Sequence, residues 1–216
     1  MNKIKVLNLY AGIGGNRRLW DDNLEVTAVE YNEEIAGVYK DFYPNDKVIV
    51  VDAHEYLLNH YKEFDIIWAS PPCQSHSEIR ICGVRSGQYD AIYPDMKLWQ
   101  EIIFLENYAS KTCKFVVENV RPFYTPFVRP TIDLHRHLFW SNARISPLEI
   151  IQDEKIGDIH DGSTVFGICL KDYTFKTVDY KKQLLRNMVN PILGKHIMDC
   201  LLQKDLLKDG EQGSLF

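Results

Sequence analysis

Two adjacent prolines constrain this chain more than any other feature. They stand in Ser70-Pro71-Pro72-Cys73-Gln74, directly after the apolar run Asp65-Ile66-Ile67-Trp68-Ala69. That run is short, apolar and rich in β-formers, as expected of a strand buried in a parallel sheet. The prolines fix φ twice, remove two backbone donors and hold Ser70 and Pro71 extended. The chain leaves the strand stiffly and presents Cys73 at its carboxyl end, where ligands bind in open α/β sheets. A thiol there reads either as a small buried hydrophobe or as a nucleophile. The remainder of the chain has to decide between them.

The order of elements around this turn predicts an α/β fold. Ile4 to Leu9 is a strand candidate, and Tyr10-Ala11-Gly12-Ile13-Gly14-Gly15 is a glycine-rich turn leading to a helix that opens near Asn16. Such a turn lets a ligand approach the backbone. Its G-x-G-G spacing departs from the G-x-G-x-x-G dinucleotide fingerprint, which disfavours NAD. Glu25 to Val29 is a second strand ending in Glu30, placed to accept from ribose hydroxyls or to cap a helix. A helix over Glu34 to Tyr43, a strand over Lys47 to Val51 ending at Asp52, and a helix over Ala53 to His60 follow. This short-period alternation predicts a doubly wound, mostly parallel, Rossmann-like sheet.

Ser75 to Pro94 is polar, contains glycine and lacks a clear pattern, so it reads as a long functional loop. Pro94 to Lys111 repeats Leu98, Ile102, Leu105 and Ala109 at helical spacing, with Trp99 and Phe104 as core candidates. Lys114 to Val117 is a fifth strand, and Glu118-Asn119-Val120 follows at its carboxyl end. There Glu118 either caps the next loop or enters the same crevice as Cys73. Leu138 to Arg144 reads as a strand, Ser146 to Tyr180 has little periodicity, and Leu193 to Leu207 marks a closing helix before a frayed tail from Lys208.

Composition enters where it excludes. The 216 residues suit one domain with a small appendage, and the five cysteines are scattered without a C-x-x-C pair, so neither a disulfide framework nor a metal site is expected. No apolar run approaches the roughly 20 residues of a membrane span, and the N-terminus has no signal layout, so a cytoplasmic protein is expected. The net charge of −5 does not advertise a polyanion partner. However, Arg80, Arg85, Arg121, Arg129, Arg136 and Arg144 concentrate in the middle third, as a phosphate-binding face or simply as solvated surface.

YAGIGG, SPPCQS and FVVENV, in this order, resemble the defining motifs of DNA cytosine-5 methyltransferases. Arg186-Asn187-Met188-Val189 is similar to that family's late G-N-x-V motif, so the resemblance runs from about Val6 to Gly194. The length and the phrase YPDMKLWQEIIFL are similar to small phage- or prophage-encoded members. The resemblance implies the class I S-adenosylmethionine-dependent methyltransferase fold and methylation of carbon 5 of a flipped-out cytosine in double-stranded DNA. It implies Cys73 as the nucleophile, Glu118 as the donor to the ring and Asn119 as its support. It places S-adenosyl-L-methionine, and its product S-adenosyl-L-homocysteine, against Tyr10, Ala11, Gly12, Gly14, Gly15, Glu30, Tyr31, Asp52, Ala53, Pro71, Asn187 and Val189. Gln74, Ser75, Arg80 and Arg85 would face DNA, with Ser75 to Pro94 closing as a lid.

Three departures shape the expectation. The family's Q-x-R-x-R register falls on Asp133, His135 and His137, which leaves Arg136 as the nearest candidate for the cytosine-side arginine. Arg186 replaces the usual glycine of the late motif. Only Ser146 to Tyr180 stands where the family carries a target recognition domain. The expected organisation is thus a catalytic core over 1–145, a short recognition-like segment over 146–180 and a returning C-terminal helix over 181–216. Low or very short specificity follows, unless the lid, a second subunit or a homo-oligomer supplies it. The competing readings are a tRNA cytosine-5 methyltransferase and a catalytically weak DNA- or cofactor-binding module. No restriction partner is expected within this chain.

Overall fold

In the computed structural model the described residues are 3–149, 164, 165 and 167–203. The first half alternates as the sequence predicts. Strands β1 (Ile4–Leu9), β2 (Leu24–Val29), β3 (Lys47–Ile49) and β4 (Ile66–Ala69) are separated by turns or by helices α1 (Glu33–Phe42) and α2 (Ala53–His60). Then come α3 (Glu78–Arg85), α4 (Lys97–Tyr108), β5 (Lys114–Val120), β6 (Ile132–Leu134) and β7 (His137–Ser141). A two-residue hairpin, β8 (Thr164–Val165) with β9 (Ile168–Cys169), precedes α5 (Val178–Asn187) and α6 (Pro191–Leu201).

One seven-stranded sheet runs β3-β2-β1-β4-β5-β7-β6. Pairings from β3 through β5 are parallel, while β7 enters antiparallel to both β5 and β6. Strand order reverses between β1 and β4, which makes the carboxyl ends of those strands the natural ligand crevice. The glycine turn leaves β1 there and the double-proline turn leaves β4. Apolar layers cover both faces. On one, Trp68, Val116, Phe139, Leu193 and Ile197 pack together. On the other, Ile67, Val117, Leu98, Ile102 and Trp140 do so. Alternate residues of β4, β5 and β7 thus go to opposite layers, as the period of a strand demands.

The structure corrects the sequence reading in several places. No helix opens at Asn16; residues 12–20 form consecutive turns. Their polar side chains are spent on tertiary contacts instead. Buried Asn16 and Asn8 exchange amide hydrogen bonds, and buried Arg17 donates through Nε to Asp46 at 2.9 Å and through Nη1 to the Trp20 carbonyl. Glu118 and Asn119 lie within β5 rather than beyond it, because pairing with β7 extends through Val120. The long polar loop contains α3, capped by the Ser77 hydroxyl on the Arg80 amide. β6 and the β8–β9 pair add strands beyond the sequence reading. The single helix expected over 181–216 is divided into α5 and α6 among the described residues, and the expected frayed tail from Lys208 lies outside them.

Helix α6 sits directly on the N-terminal turn. A Cβ at Gly194 would stand 2.5 Å from the Asn16 carbonyl oxygen and 2.8 Å from its Cα. The Trp20 indole donates to the Gly194 carbonyl at 3.1 Å. Because the obstruction is backbone, no rotamer change relieves it. Gly194→Ala is expected to destabilise the fold by about 1–3 kcal/mol despite alanine's better helix propensity, measured as a drop in urea midpoint at unchanged m-value.

Candidate active site

The first wall of the crevice is the turn after β1. Tyr10 and Gly12 both adopt left-handed backbone, with φ of 56° and 54°. A Cβ at Gly12 would meet nothing within 4 Å, so the backbone at this point borders open space. The end of β2 holds the turn in place. Glu30 accepts from the Gly12 amide at 3.0 Å through one carboxylate oxygen and from the Asn32 amide at 2.9 Å through the other. The cap of α1 is Asn32, whose side chain accepts from the Ile35 amide, so Glu30 does not serve as a helix cap. Each Glu30 oxygen retains a second lone pair for a hydroxyl donor. Tyr31 next to it is 76% exposed, and its ring is open to an aromatic ligand.

Asp52 is more committed than the sequence suggests. One oxygen caps α2 through the His54 and Glu55 amides, and the other accepts from Lys97 Nζ at 3.1 Å. Ala53 is buried, as are Ala11, Gly14 and Gly15. Behind this wall lies a cluster that sequence reasoning missed. Glu101, on the buried face of α4, accepts from the Tyr10 hydroxyl and meets His54 Nδ1 at 2.8 Å. This cluster anchors Tyr10 in a backbone conformation that non-glycine residues seldom adopt. The available signal was a glutamate beside Ile102, at the edge of the apolar face of Leu98, Ile102 and Leu105.

The second wall is the double-proline turn. Asn119 projects from β5 and donates through Nδ2 to the Pro71 carbonyl at 2.9 Å, fixing the turn to the neighbouring strand. Cys73 follows, half-buried. Burial first, and then the carboxylate of Glu118, push its thiol up to about 11, while the charge of Arg136 pulls it down. Glu118 is itself pushed up to about 7, chiefly by burial, against the opposing effects of a Ser70 hydrogen bond and the Arg136 charge. The Trp68 indole donates to Ser70 Oγ at 2.9 Å, leaving the Ser70 hydroxyl free to donate to Glu118. Cys73 and Glu118, from two different strand ends, therefore lie in one electrostatic environment.

The third wall departs from the sequence expectation. Arg136 is exposed, and its guanidinium donates to the Arg186 carbonyl at 2.9 Å near the end of α5. The side chain packed at Glu118 is His137, with Nε2 3.3 Å from Oε1 and both side chains almost fully buried. The lid residues are likewise used differently. Arg80 stacks on Tyr89 and donates to the Asp90 carbonyl within the lid, whereas Arg85 is exposed. Ser75 is buried and accepts from the Asp95 amide, and Gln74 is exposed. Asn187 is exposed at the end of α5, and Val189 is buried against the α6 layer.

The family model described as C-5 cytosine-specific DNA methylase matches residues 4–132, more than half of the 216. The chain belongs to that family. As a member of that family it carries the class I methyltransferase sheet, with β7 antiparallel in an otherwise parallel array. A tRNA (cytosine(38)-C(5))-methyltransferase from Spodoptera frugiperda is 30% identical over 132 residues, covering 58% of this chain and 38% of that protein. The chain thus spans about two fifths of that relative's length. Among solved structures, a SAM-dependent methyltransferase from Agrobacterium tumefaciens is 18% identical, with a TM-score of 0.43 over 57% of this chain and 41% of that one. The methyltransferase EhMeth from Entamoeba histolytica is 17% identical, with a TM-score of 0.36 over 56% and 39%. Among the described residues no helix is long and apolar enough to cross a membrane.

Proposed function

We propose that this chain transfers a methyl group from S-adenosyl-L-methionine to carbon 5 of a flipped-out cytosine in DNA. The observation that carries the reading is the position of Cys73 and Glu118 at the carboxyl ends of β4 and β5, beside the strand-order reversal, with Asn119 tying the Cys73 turn to β5. The methyl donor fits the first wall. Open space borders Gly12, Glu30 retains acceptors for two ribose hydroxyls, and the Tyr31 ring is available to adenine. Asp52, Ala53, Pro71, Asn187 and Val189 would complete this side. When bound, the donor supplies an electrophilic methyl group on a positively charged sulfur.

The chain's own residues do the remainder. The Cys73 thiolate adds to carbon 6, and the electron pair of the 5,6 double bond is thereby made available at carbon 5. Protonated Glu118 donates to the ring nitrogen, where negative charge would otherwise accumulate. Asn119 keeps the sulfur in register with the carboxyl through Pro71. After transfer, loss of the carbon 5 proton to a base returns the electron pair, expels the Cys73 sulfur and restores the aromatic ring. Residues 1–145 form the core of this scheme, 146–180 a short recognition-like segment and 181–216 the helical return. Arg85 on the lid would meet phosphate, and a second copy would be one source of the missing recognition surface.

Methylation of tRNA is the second reading, favoured by the identity to the Spodoptera enzyme. Incubation with methyl-labelled cofactor and either duplex DNA or bulk tRNA separates the two, since label should enter only one. Incorporation into neither would reduce the chain to a binding module. For the cofactor site, Glu30→Gln should weaken binding of S-adenosyl-L-homocysteine roughly 10- to 100-fold, equivalent to the 1.5–3 kcal/mol of a charged hydrogen bond. Titration calorimetry checks this, and unchanged affinity would remove Glu30 from the site.

A further inference from the structure

The carboxyl of Glu118 is approached from two sides, by His137 on β7 and by Ser70 in the turn just after β4. Trp68, Ser70 and Glu118 lie on one layer of the sheet by strand alternation, as do His137 and Phe139 on β7. The register pairs Glu118 with Phe139 and Val120 with His137, so His137 is the diagonal neighbour of Glu118, within reach of a long side chain. Its Nε2 comes to 3.3 Å from Oε1, with the two side chains 6% and 7% exposed. Ser70, oriented by the Trp68 indole, serves the same carboxyl. Arg136 is one residue earlier, outside β7, and spends its guanidinium on the Arg186 carbonyl.

We infer that His137 is a positioning residue for Glu118, fixing one carboxyl oxygen so that the other is presented to the nucleobase ring. This rests on the proposed role of Glu118 as proton donor. A carboxyl turns readily about its last torsion until one oxygen is held, and holding one sets where the other points. Donation to a ring nitrogen requires heavy atoms within about 2.6–3.2 Å, so an unpinned carboxyl wastes most of its orientations. His137 supplies a close contact from the sheet, whereas Arg136 spends its guanidinium on the Arg186 carbonyl and acts on Glu118 through charge. Being in a strand rather than a loop, it holds that geometry rigidly.

The test uses the full chain with His137→Phe, which keeps a ring but loses Nε2, and His137→Gln, which retains a nitrogen donor. The probes are mixed-sequence duplex DNA and an RNA transcript in which 5-fluorocytosine replaces cytosine, since fluorine cannot leave as a proton and the Cys73 adduct persists. His137→Phe should lower kcat and the rate of adduct formation about 10- to 100-fold, as misplacement of a reacting group does. KM for the cofactor should not move, and His137→Gln should recover most of the loss. Wild-type rates in His137→Phe would overturn the inference. So would equal losses in both variants accompanied by a lowered melting temperature, which would make the histidine a packing residue. If wild-type protein traps neither nucleic acid, the catalytic reading itself falls and takes the inference with it, a result distinct from either of these.

Discussion

Cys73→Ser should abolish the covalent adduct and reduce methyl transfer by at least about a thousandfold, some 4 kcal/mol of barrier. The sulfur is the only atom of the side chain that changes, so the size of the effect follows from its chemistry. In the resting site burial and the Glu118 carboxylate hold the thiol near 11, so little thiolate exists at neutral pH. A hydroxyl in the same place gives up its proton far less readily and is a weaker nucleophile toward an electron-poor carbon. Cys73 is half-buried at a turn already fixed by Asn119 and two prolines. The substitution should therefore leave the melting temperature nearly unchanged. Gel-resolved adducts on fluorinated substrate together with label incorporation measure both, and methylation that survives the change would remove Cys73 from the chemistry.

Glu118→Gln has the second large effect, and its two consequences run in opposite directions. Activity should fall about 10²- to 10³-fold, the usual consequence of losing a preorganised donor to developing charge. Stability above neutral pH should rise. The native carboxyl titrates near 7, whereas an ordinary glutamate does so near 4.5. Between those values the folded chain holds a proton that the unfolded chain has released. This group's contribution to stability is therefore greatest below pH 4.5, declines as pH rises towards 7 and stays low above it. The full difference corresponds to about 3 kcal/mol, which glutamine, having no charge to bury, avoids. Urea melts at pH 5 and pH 8 should show the variant gaining on wild type at the higher pH. An equal difference at both values would mean that Glu118 is ionised throughout.

Both groups were legible in the sequence because each is tied to a strand end by local chemistry. Two prolines after an apolar run, and a polar pair after another, can be placed without knowing the fold. Glu30 was legible for the same reason. What escaped notice depends on contacts between distant segments. The helix expected at Asn16 fails because Asn8 on β1 and Asp46, 29 residues beyond Arg17, take up the polar side chains that would have faced solvent. His137 lies in the register of an arginine-bearing motif, yet its approach to Glu118 appears only once β7 is paired antiparallel to β5. Glu101 reads as one charge on a helix until Tyr10 and His54 are brought against it. Asp52 keeps its predicted place but shares its oxygens with a helix terminus and Lys97, a commitment no spacing reveals.

The seat of α6 on the N-terminal turn bears on how the protein is made. The residue whose missing side chain lets that helix approach is number 194, while the segment it braces lies between positions 12 and 20. A ribosome has to release residues 1–194 before the turn after β1 acquires its backing. A nascent chain stalled before that point would hold the sheet with its first turn still lacking the contact that Gly194 makes with Asn16.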